Sequence, residues 1–167
     1  RVRLDLFHQK KLVPIIATWD DHDYGKNNAG KEFQYKKESL DIFNSFYAQE
    51  DGISPSLVKG PGVSSLLKTR SLNFYFMDGR FFRSSGETHF GSEQEQWLFQ
   101  HLRSSAQSSW IINGDQFFGG YHKFESYEGK NKKSFDLFLK TLAQLKAKVF
   151  FLSGDRHLTE LMEISKS

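Results

Sequence analysis

Four short apolar runs in this chain are each followed closely by a cluster of polar residues. The runs cover residues 13–18, 71–77, 110–112 and 149–152, and their clusters contain Asp-Asp-His-Asp, Asp-Gly-Arg, Asn-Gly-Asp-Gln and Gly-Asp-Arg-His. Short apolar runs bounded by turn-forming residues predict buried strands. If these strands lie side by side, the clusters open onto one rim, because an α/β sheet places its chemistry beyond the carboxyl ends of its strands. The recurrence predicts an α/β fold with a β-sheet core and flanking helices.

The spacing of apolar residues elsewhere in the chain predicts these helices. Helices are expected over residues 3–11 and 31–48. A third is expected to open at Ser92, where Ser is followed three residues later by Glu in the pattern of a capping box. A fourth is expected to be capped by Ser134.

The remaining segments predict a hairpin and two loops. Val63–Lys68 and Ser71–Met77 are separated only by Thr69 and Arg70, which is typical of a β-hairpin. Residues 49–62 are rich in Gly, Pro and Ser, and residues 119–133 are polar and rich in Gly and Lys. Both compositions are typical of loops.

The stretch Thr18-Trp19-Asp20-Asp21-His22-Asp23-Tyr24-Gly25, here named the Asp-rich block, is the most unusual of the polar clusters. Carboxylates this close together repel one another, and a bound cation relieves the repulsion. The alternative is an Asp-rich turn that caps the next element. Three Asp and one His, flanked by Trp and Gly after an apolar run, favour metal or catalytic chemistry.

Length and composition restrict the class of protein. The chain has 167 residues, which suits a single domain over residues 1–167, and it has no cysteine, so disulfides and thiolate metal sites are excluded. A net charge of +3, from 23 basic and 20 acidic residues, is too balanced for nucleic-acid binding to be the default expectation. The apolar runs are shorter than the roughly 20 residues that span a membrane. The chain starts without Met and shows no signal peptide, so we expect it to be part of a longer polypeptide.

Five sequence blocks occur in a fixed order along the chain. They are Trp19–Asp23 with Asn28, Met77–Arg80, Gly91–Gln94 with Trp97 and Leu98, Trp110–Gln116, and Ser153–His157. Together they resemble the PhoD-like alkaline phosphatases, a branch of the calcineurin-like metallophosphoesterases. The resemblance covers essentially the whole chain. It implies a metallophosphoesterase-like sheet core, of which this chain is an incomplete C-terminal part, and metal-dependent hydrolysis of phosphate mono- or diesters.

The same resemblance implies a metal centre. The implied ligands are Asp21, Gln116, Asp155 and His157, with Asp20 as a less certain candidate. Carboxylate and amide ligands in place of imidazole favour hard cations, so the implied cofactors are two or more ions of Ca²⁺, Mg²⁺, Mn²⁺ or Fe³⁺. In such a centre a metal-activated water attacks the phosphate ester.

The resemblance also implies roles for side chains around the phosphate. His22 matches the histidine that faces the phosphate, where it stabilises developing charge or protonates the leaving oxygen, and Asp23 is placed to orient it. Arg80 and Arg156 are candidate phosphate contacts, because a guanidinium matches phosphate oxygens; for each, a structural ion pair is the alternative. Asn28 is a further candidate for substrate binding.

The superfamily's two opening blocks, an Asp-x-His strand end and a Gly-Asp element, are expected upstream of Val13 and do not occur there. We therefore expect the residue that bridges two metal ions to lie in a missing N-terminal part of the polypeptide. One alternative is a non-catalytic domain that keeps the fold. Another is a phosphoesterase of the Asp-His-His type, although the chain lacks consecutive histidines. The resemblance also implies that the protein is exported.

His89 lacks a partner at ligand spacing and is expected to be structural.

Overall fold

A mixed five-stranded β-sheet lies at the centre of the protein. The computed structural model describes residues 15–47, 56–122, 125–146, 148–157 and 159–164. The strands are β1 (Leu57–Lys59), β2 (Ser65–Lys68), β3 (Leu72–Phe76), β4 (Ser108–Asn113) and β5 (Val149–Ser153), and they lie in that order across the sheet. The helices are α1 (Asp21–Tyr24), α2 (Lys36–Tyr47), α3 (Ser92–Arg103), α4 (Tyr127–Lys130) and α5 (Lys132–Ala143).

The sheet joins an antiparallel half to a parallel half. β1, β2 and β3 pair antiparallel, which confirms the predicted hairpin, whereas β3, β4 and β5 pair parallel. Parallel neighbours need a crossover connection, and here α3 connects β3 to β4 and α5 connects β4 to β5. The carboxyl ends of β3, β4 and β5 therefore lie at the same edge of the sheet. The arrangement confirms the predicted α/β fold with flanking helices.

One hydrophobic cluster joins the two crossover helices to one face of the sheet. Its buried helical members are Leu98, Phe99, Leu102, Phe135, Phe138 and Leu142. Its strand members are Leu66, Tyr75 and Ile111. On α5, the buried residues recur at three- and four-residue intervals, as expected for a helix with one apolar face. The helices thus cover one face of the sheet.

The opposite face of the sheet is aromatic and only half-buried. Phe74, Trp110 and Phe150 lie opposite one another across β3, β4 and β5 and form a row, here named the aromatic row. The rings of Trp110 and Phe150 stack with their centroids 5.0 Å apart. Leu152, two residues beyond Phe150 and therefore on the same face, is 50% exposed. The described residues leave this face partly accessible.

A second, smaller hydrophobic cluster anchors the Asp-rich block. Its buried members are Trp19, Tyr24, Ala29, Phe43 and Val63. The Trp19 ring makes edge contacts with Tyr24, at 4.9 Å between centroids, and with Phe43 of α2, at 5.2 Å. Aromatic pairs in this geometry stabilise beyond the area that they bury. The Asp-rich block is therefore fastened by its flanking aromatic residues, with α2 packed against them.

Two segments differ from the sequence-based prediction. The part of the run 13–18 that the structure describes, residues 15–18, is not a strand; instead the Thr18 hydroxyl donates to the Met77 carbonyl, 2.5 Å away, beside the end of β3. Apolar composition alone does not separate a strand from a buried irregular segment. The predicted loop 49–62 contains β1, because Leu57–Lys59 pairs with β2 and this pairing overrides the local composition.

The helix boundaries also need correction. The helix predicted over 31–48 begins at Lys36, after turns that follow Gly30. Ser92 is the first residue of α3 rather than its cap; Gly91 takes the cap position with a φ of 77°, so the predicted capping box does not form. Ser134 lies inside α5, which begins after Asn131, and α4 occupies part of the predicted loop 119–133. The predicted helix over residues 3–11 lies outside the described residues.

The neighbouring residues Phe138 and Leu137 test the assignment of the core. Phe138 is buried and contacts the rings of Phe90, Phe99, Phe117 and Tyr127, whereas Leu137 is 63% exposed. We expect Phe138→Ala to lower the free energy of unfolding by about 3–5 kcal/mol, because the lost ring leaves a cavity. The control Leu137→Ala changes it by less than about 0.5 kcal/mol. Urea denaturation followed by fluorescence measures both, and equal losses would contradict this core.

Candidate functional site

The polar clusters at the strand ends lie along one rim. Residues 78–80, 113–116 and 153–157 follow three parallel neighbours, so they emerge at the same edge. A Cβ atom built on Gly114 would lie 2.3 Å from the Trp19 carbonyl oxygen and 2.9 Å from Asp20 Cβ. A Cβ atom on Gly154 would lie 2.5 Å from the Gly114 carbonyl oxygen. The Asp-rich block therefore packs against β4's end, which packs against β5's end, as the sequence pattern predicted.

The buried carboxylate of Asp78 ties the end of β3 to its surroundings. Its Oδ1 accepts the Trp19 indole N–H at 2.7 Å and the backbone N–H groups of Arg80 and Phe81, each at 2.9 Å. Its Oδ2 accepts the Val63 N–H at 3.1 Å. Burial raises the pKa of Asp78, and these bonds oppose that rise. Asp78 thus fixes the Asp-rich block to the sheet.

Asp21 braces the Asp-rich block from within. Its Oδ1 accepts the His22 backbone N–H and its Oδ2 accepts the Asn28 N–H, both at 2.8 Å. Asn28 has a φ of 59°, in the left-handed region that asparagine tolerates better than most residues. Asp23 accepts the Asp20 N–H at 3.2 Å, and this bond belongs to the N-terminal cap of α1. The block therefore combines the capping role of an Asp-rich turn with exposed polar groups.

Arg80 forms a buried ion pair with Asp20. The Asp20 Oδ1 atom accepts Arg80 Nε at 2.8 Å and also accepts Arg80 Nη2, while the Arg80 side chain is 0% exposed. Burial raises the pKa of Asp20 to about 6, and the Arg80 guanidinium limits the rise. Burial acts to lower the pKa of Arg80, but the Asp115 and Asp20 carboxylates outweigh it, so the net shift is upward. The sequence left two roles open for Arg80, a phosphate contact or a structural ion pair, and this geometry matches the ion pair.

Three more ionisable residues, Asp115, Arg83 and His89, surround this pair. Asp115 Oδ2 accepts Arg83 Nη1 at 2.6 Å and lies 3.7 Å from Arg80 Nη2, and Asp115 Oδ1 lies 3.0 Å from His89 Nε2. Burial would raise the pKa of Asp115, but His89 and the two guanidinium groups hold it below its ordinary value. Burial lowers the pKa of Arg83. We name Asp20, Arg80, Arg83, His89 and Asp115 the buried charge network.

The sequence pattern indicates no functional role for Asp115, Arg83 or Glu125. Asp115 belongs to the polar cluster after β4, so its position at the rim was visible, but its partners were not. Arg83 follows Arg80 by three residues, and Glu125 Oε2 lies 3.9 Å from Arg80 Nη2 from a segment predicted to be a loop. His89 stacks on Tyr127 with centroids 4.4 Å apart, as expected of a structural histidine, but it also contacts Asp115.

The other predicted site residues lie at the surface or at its edge. The His22 side chain is 79% exposed, and its Nε2 lies 4.0 Å from Asp21 Oδ1. Asp155 and His157 have φ values of 73° and 53°, both in the left-handed region. The Arg156 guanidinium carbon lies 5.8 Å from the centroid of the Tyr121 ring. Asp155, Arg156 and His157 follow β5 directly, at the rim against which the Asp-rich block packs.

The predicted metal ligands do not form a complete metal centre by themselves. Across the described ranges, no three side chains of His, Asp or Glu are grouped so as to hold a metal ion. The oxygens of Asp21 accept backbone N–H groups, and Asp20 Oδ1 accepts Arg80. Gln116 is the exception, because its buried Oε1 has no hydrogen-bond partner among the residues that the structure describes. The metal-binding side chains that the described residues bring together are therefore too few to hold the two or more ions that the resemblance implies.

Comparison with solved structures identifies a fold neighbour. The chain matches a structure titled "Structure of PhoD" with a TM-score of 0.57 and 20% sequence identity. The match covers 85% of this chain but only 34% of that chain, so the chain spans about a third of the length of PhoD. No protein-family profile and no curated protein matches the chain. At this identity the likeness shows the fold alone, and the chain has the architecture of part of PhoD.

The close approach at Gly114 gives a test of the rim. We expect Gly114→Ala to lower the free energy of unfolding by about 1–3 kcal/mol, because its Cβ would overlap backbone that must then shift. Gly120→Ala is the matched control, since its Cβ would meet only the end of the Glu128 side chain, at 3.1 Å or more. Urea denaturation measures the two, and a stable Gly114→Ala protein would show that the Asp-rich block does not pack here.

The buried imidazole of His89 makes stability depend on pH. Burial lowers the pKa of His89, and Asp115 offsets this only in part. The unfolded chain binds the proton near about pH 6.5, so the contribution to stability is complete above that pH and is lost as the pH falls below it. When the pH is lowered from about 7.5 to about 5.5, we expect the free energy of unfolding to fall by up to about 1 kcal/mol more in the wild type than in the His89→Gln variant. Urea unfolding at the two pH values measures both. Equal losses would argue against a buried neutral histidine.

Proposed function

We propose that this chain is the C-terminal part of the catalytic domain of a metal-dependent, PhoD-like phosphoesterase that hydrolyses phosphate mono- or diesters. The observation that carries the proposal is the Asp-rich block packed against the rim where β3, β4 and β5 end. Rims of this kind hold the functional sites of open α/β sheets. The order of the five sequence blocks and the fold shared with part of PhoD support the same conclusion.

In this proposal His22 acts on the phosphate ester. Its imidazole is largely exposed, while the backbone beneath it is fixed by Asp21 and by the N-terminal cap of α1. An exposed side chain on a fixed backbone can approach a bound ester from the rim. The imidazolium form then stabilises charge on the phosphate or gives its proton to the leaving oxygen. Asp23 supports this role through the backbone that it caps.

We assign phosphate binding to Arg156 rather than to Arg80. Arg80 is fully buried and paired with Asp20, so it acts from beneath the site. Arg156 is half-buried at the rim, and its Nη1 has no hydrogen-bond partner within the described part of the chain. A guanidinium with a free N–H matches a phosphate oxygen. Asn28 is the second polar contact in the proposal through its side-chain N–H groups, because its buried Oδ1, which has no described partner, can only accept a hydrogen bond or bind a cation.

The proposed metal centre needs ligands from elsewhere in the polypeptide. This chain offers Gln116, Asp155 and His157, together with the partly engaged carboxylates of Asp20 and Asp21. Oxygen-rich ligands suit Ca²⁺, Mg²⁺, Mn²⁺ or Fe³⁺, and two such ions require more donors than the described residues group together. We therefore place the remaining ligands, including any bridging carboxylate, in another part of the same polypeptide.

The aromatic row supports the proposal that this chain is one layer of a larger domain. Phe74, Trp110 and Phe150 lie half-buried on the face that the helices do not cover. Sheets with parallel strands are normally covered on both faces. In the proposal, the rest of the polypeptide covers this face. Export, implied by the resemblance, also belongs to the proposal; within the described residues no helix is long and apolar enough to cross a bilayer.

A non-catalytic domain that keeps this fold is the second candidate. It is the candidate that needs no more metal-binding side chains than the described residues group together. The two candidates differ in one measurable property, because only the first requires the intact polypeptide to bind metal and turn over a phosphate ester.

Turnover by the intact polypeptide tests the function. We expect hydrolysis of a chromogenic phosphate ester in the presence of Ca²⁺ or Mn²⁺, and poor hydrolysis by residues 1–167 alone. His22→Ala is expected to lower kcat by about 10²–10⁴-fold. His101→Ala, half-buried near the end of α3 that leads into β4 and away from the rim, is the matched control and should leave kcat within a few-fold of wild type. Absence of both metal and turnover in the intact polypeptide would select the non-catalytic candidate.

A further inference from the structure

We infer that Asp115 is a positioning residue that fixes the Asp-rich block through Arg80, an inference that rests on the proposed function of that block. Asp115 lies two residues beyond the carboxyl end of β4, is 1% exposed, and has no hydrogen bond to the block among those found in the described residues. Its influence passes through a chain of charged groups. The inference gives a functional reason for a buried charge network in a protein with an ample hydrophobic core.

The contacts run from Asp115 to Asp20. Asp115 Oδ2 binds Arg83 Nη1 at 2.6 Å and lies 3.7 Å from Arg80 Nη2. Arg80 then donates Nε to Asp20 Oδ1 at 2.8 Å, and its Nη2 donates to the same oxygen. One carboxylate thus lies between two buried guanidinium groups, and one of these holds the first acidic residue of the block.

Asp115 is itself held on both oxygens. Its Oδ1 lies 3.0 Å from His89 Nε2 and accepts the side-chain amide of Asn113. Groups that are fixed from several sides transmit position, because each partner limits the rotamer of the next. Without the negative charge of Asp115, Arg80 and Arg83 would be two buried cations facing each other. Each would lose the buried carboxylate that the two share, and this weaker pairing is unfavourable, so the guanidinium groups would move apart or admit water.

The position of Asp20 helps to determine that of α1, beside the aromatic contacts of Trp19 and Tyr24 and the anchor at Asp78. The Asp20 carbonyl accepts the Tyr24 N–H at 3.0 Å, the Asp21 carbonyl accepts the Gly25 N–H at 2.7 Å, and the Asp20 N–H binds Asp23. A four-residue helix has little stability of its own, so its orientation depends on such anchors. Movement of Asp20 would therefore displace His22, which lies on α1. Asp115 controls the placement of the exposed imidazole from a position beneath it.

Amide hydrogen exchange in the intact polypeptide tests the inference independently of catalysis. The variants are Asp115→Asn and Arg83→Lys, with Leu102→Ala in the core as a control that loses comparable stability by a different route. At a temperature where all are folded, we expect the Tyr24 and Gly25 amides to exchange at least about tenfold faster in Asp115→Asn than in Leu102→Ala. Arg83→Lys, which keeps the charge, should fall between wild type and Asp115→Asn.

Kinetics on a chromogenic phosphate ester complete the test. We expect Asp115→Asn to lower kcat by at least about tenfold, with Leu102→Ala close to wild type. Equal exchange at Tyr24 and Gly25 in Asp115→Asn and Leu102→Ala would overturn the inference, whether or not the wild type is active. If the wild type is inactive and Tyr24 and Gly25 still exchange faster in Asp115→Asn than in Leu102→Ala, the result would support positioning by Asp115 and refute the proposed function. If Asp115→Asn does not fold, amide exchange at Tyr24 and Gly25 is compared between Arg83→Lys and Leu102→Ala instead, and the same outcomes decide.

Discussion

The buried carboxylate of Asp78 is the contact on which the arrangement of the rim depends. Four N–H groups from three separate parts of the chain converge on it: the Trp19 indole, the Val63 amide, and the amides of Arg80 and Phe81. Gln94 of α3 adds two more bonds to the Asp78 backbone. A single residue thus joins the Asp-rich block, the segment before β2, the end of β3 and α3. Leaving any of these groups unpaired in the interior costs about 1–3 kcal/mol, so the four segments are held in one arrangement.

The buried charge network adds a second layer to this anchor at a higher cost. Two guanidinium groups and two carboxylates leave water, and the desolvation penalty of such groups often exceeds the attraction between them. The opposite shifts reflect this competition: burial raises the pKa of Asp20 to about 6, whereas His89 and two guanidinium groups keep the pKa of Asp115 low. A network of this kind is better explained by specificity of position than by stability. The residue that it positions, Asp20, opens α1 and carries His22 with it.

The sequence predicted the parts of this structure that follow from local pattern. The strands at 71–77, 110–112 and 149–152, the hairpin and the buried face of α5 depend on periodicity, which is a local property. The sequence also predicted that the polar clusters share one rim, because parallel strands with helical crossovers permit that arrangement. It failed where long-range contacts decide. Residues 15–18 bind the end of β3 through side chains rather than a ladder, β1 exists only through its pairing, and Arg80 and Asp115 are linked across 35 positions of sequence, which no spacing rule reveals.

The acidic residues of the rim divide into two groups by their hydrogen-bond partners and their exposure. Asp78 and Asp115 are fully buried and engaged on both oxygens by N–H groups or cations, so they are structural. Asp155 is half-buried and, like His157, has a left-handed backbone, which costs a non-glycine residue about 1–3 kcal/mol. Strain of this kind persists only where the surroundings enforce it, and it clusters at ligand-binding sites. The innermost acids thus hold the geometry of the rim, whereas Asp155 and His157 combine a left-handed backbone with partial or full exposure.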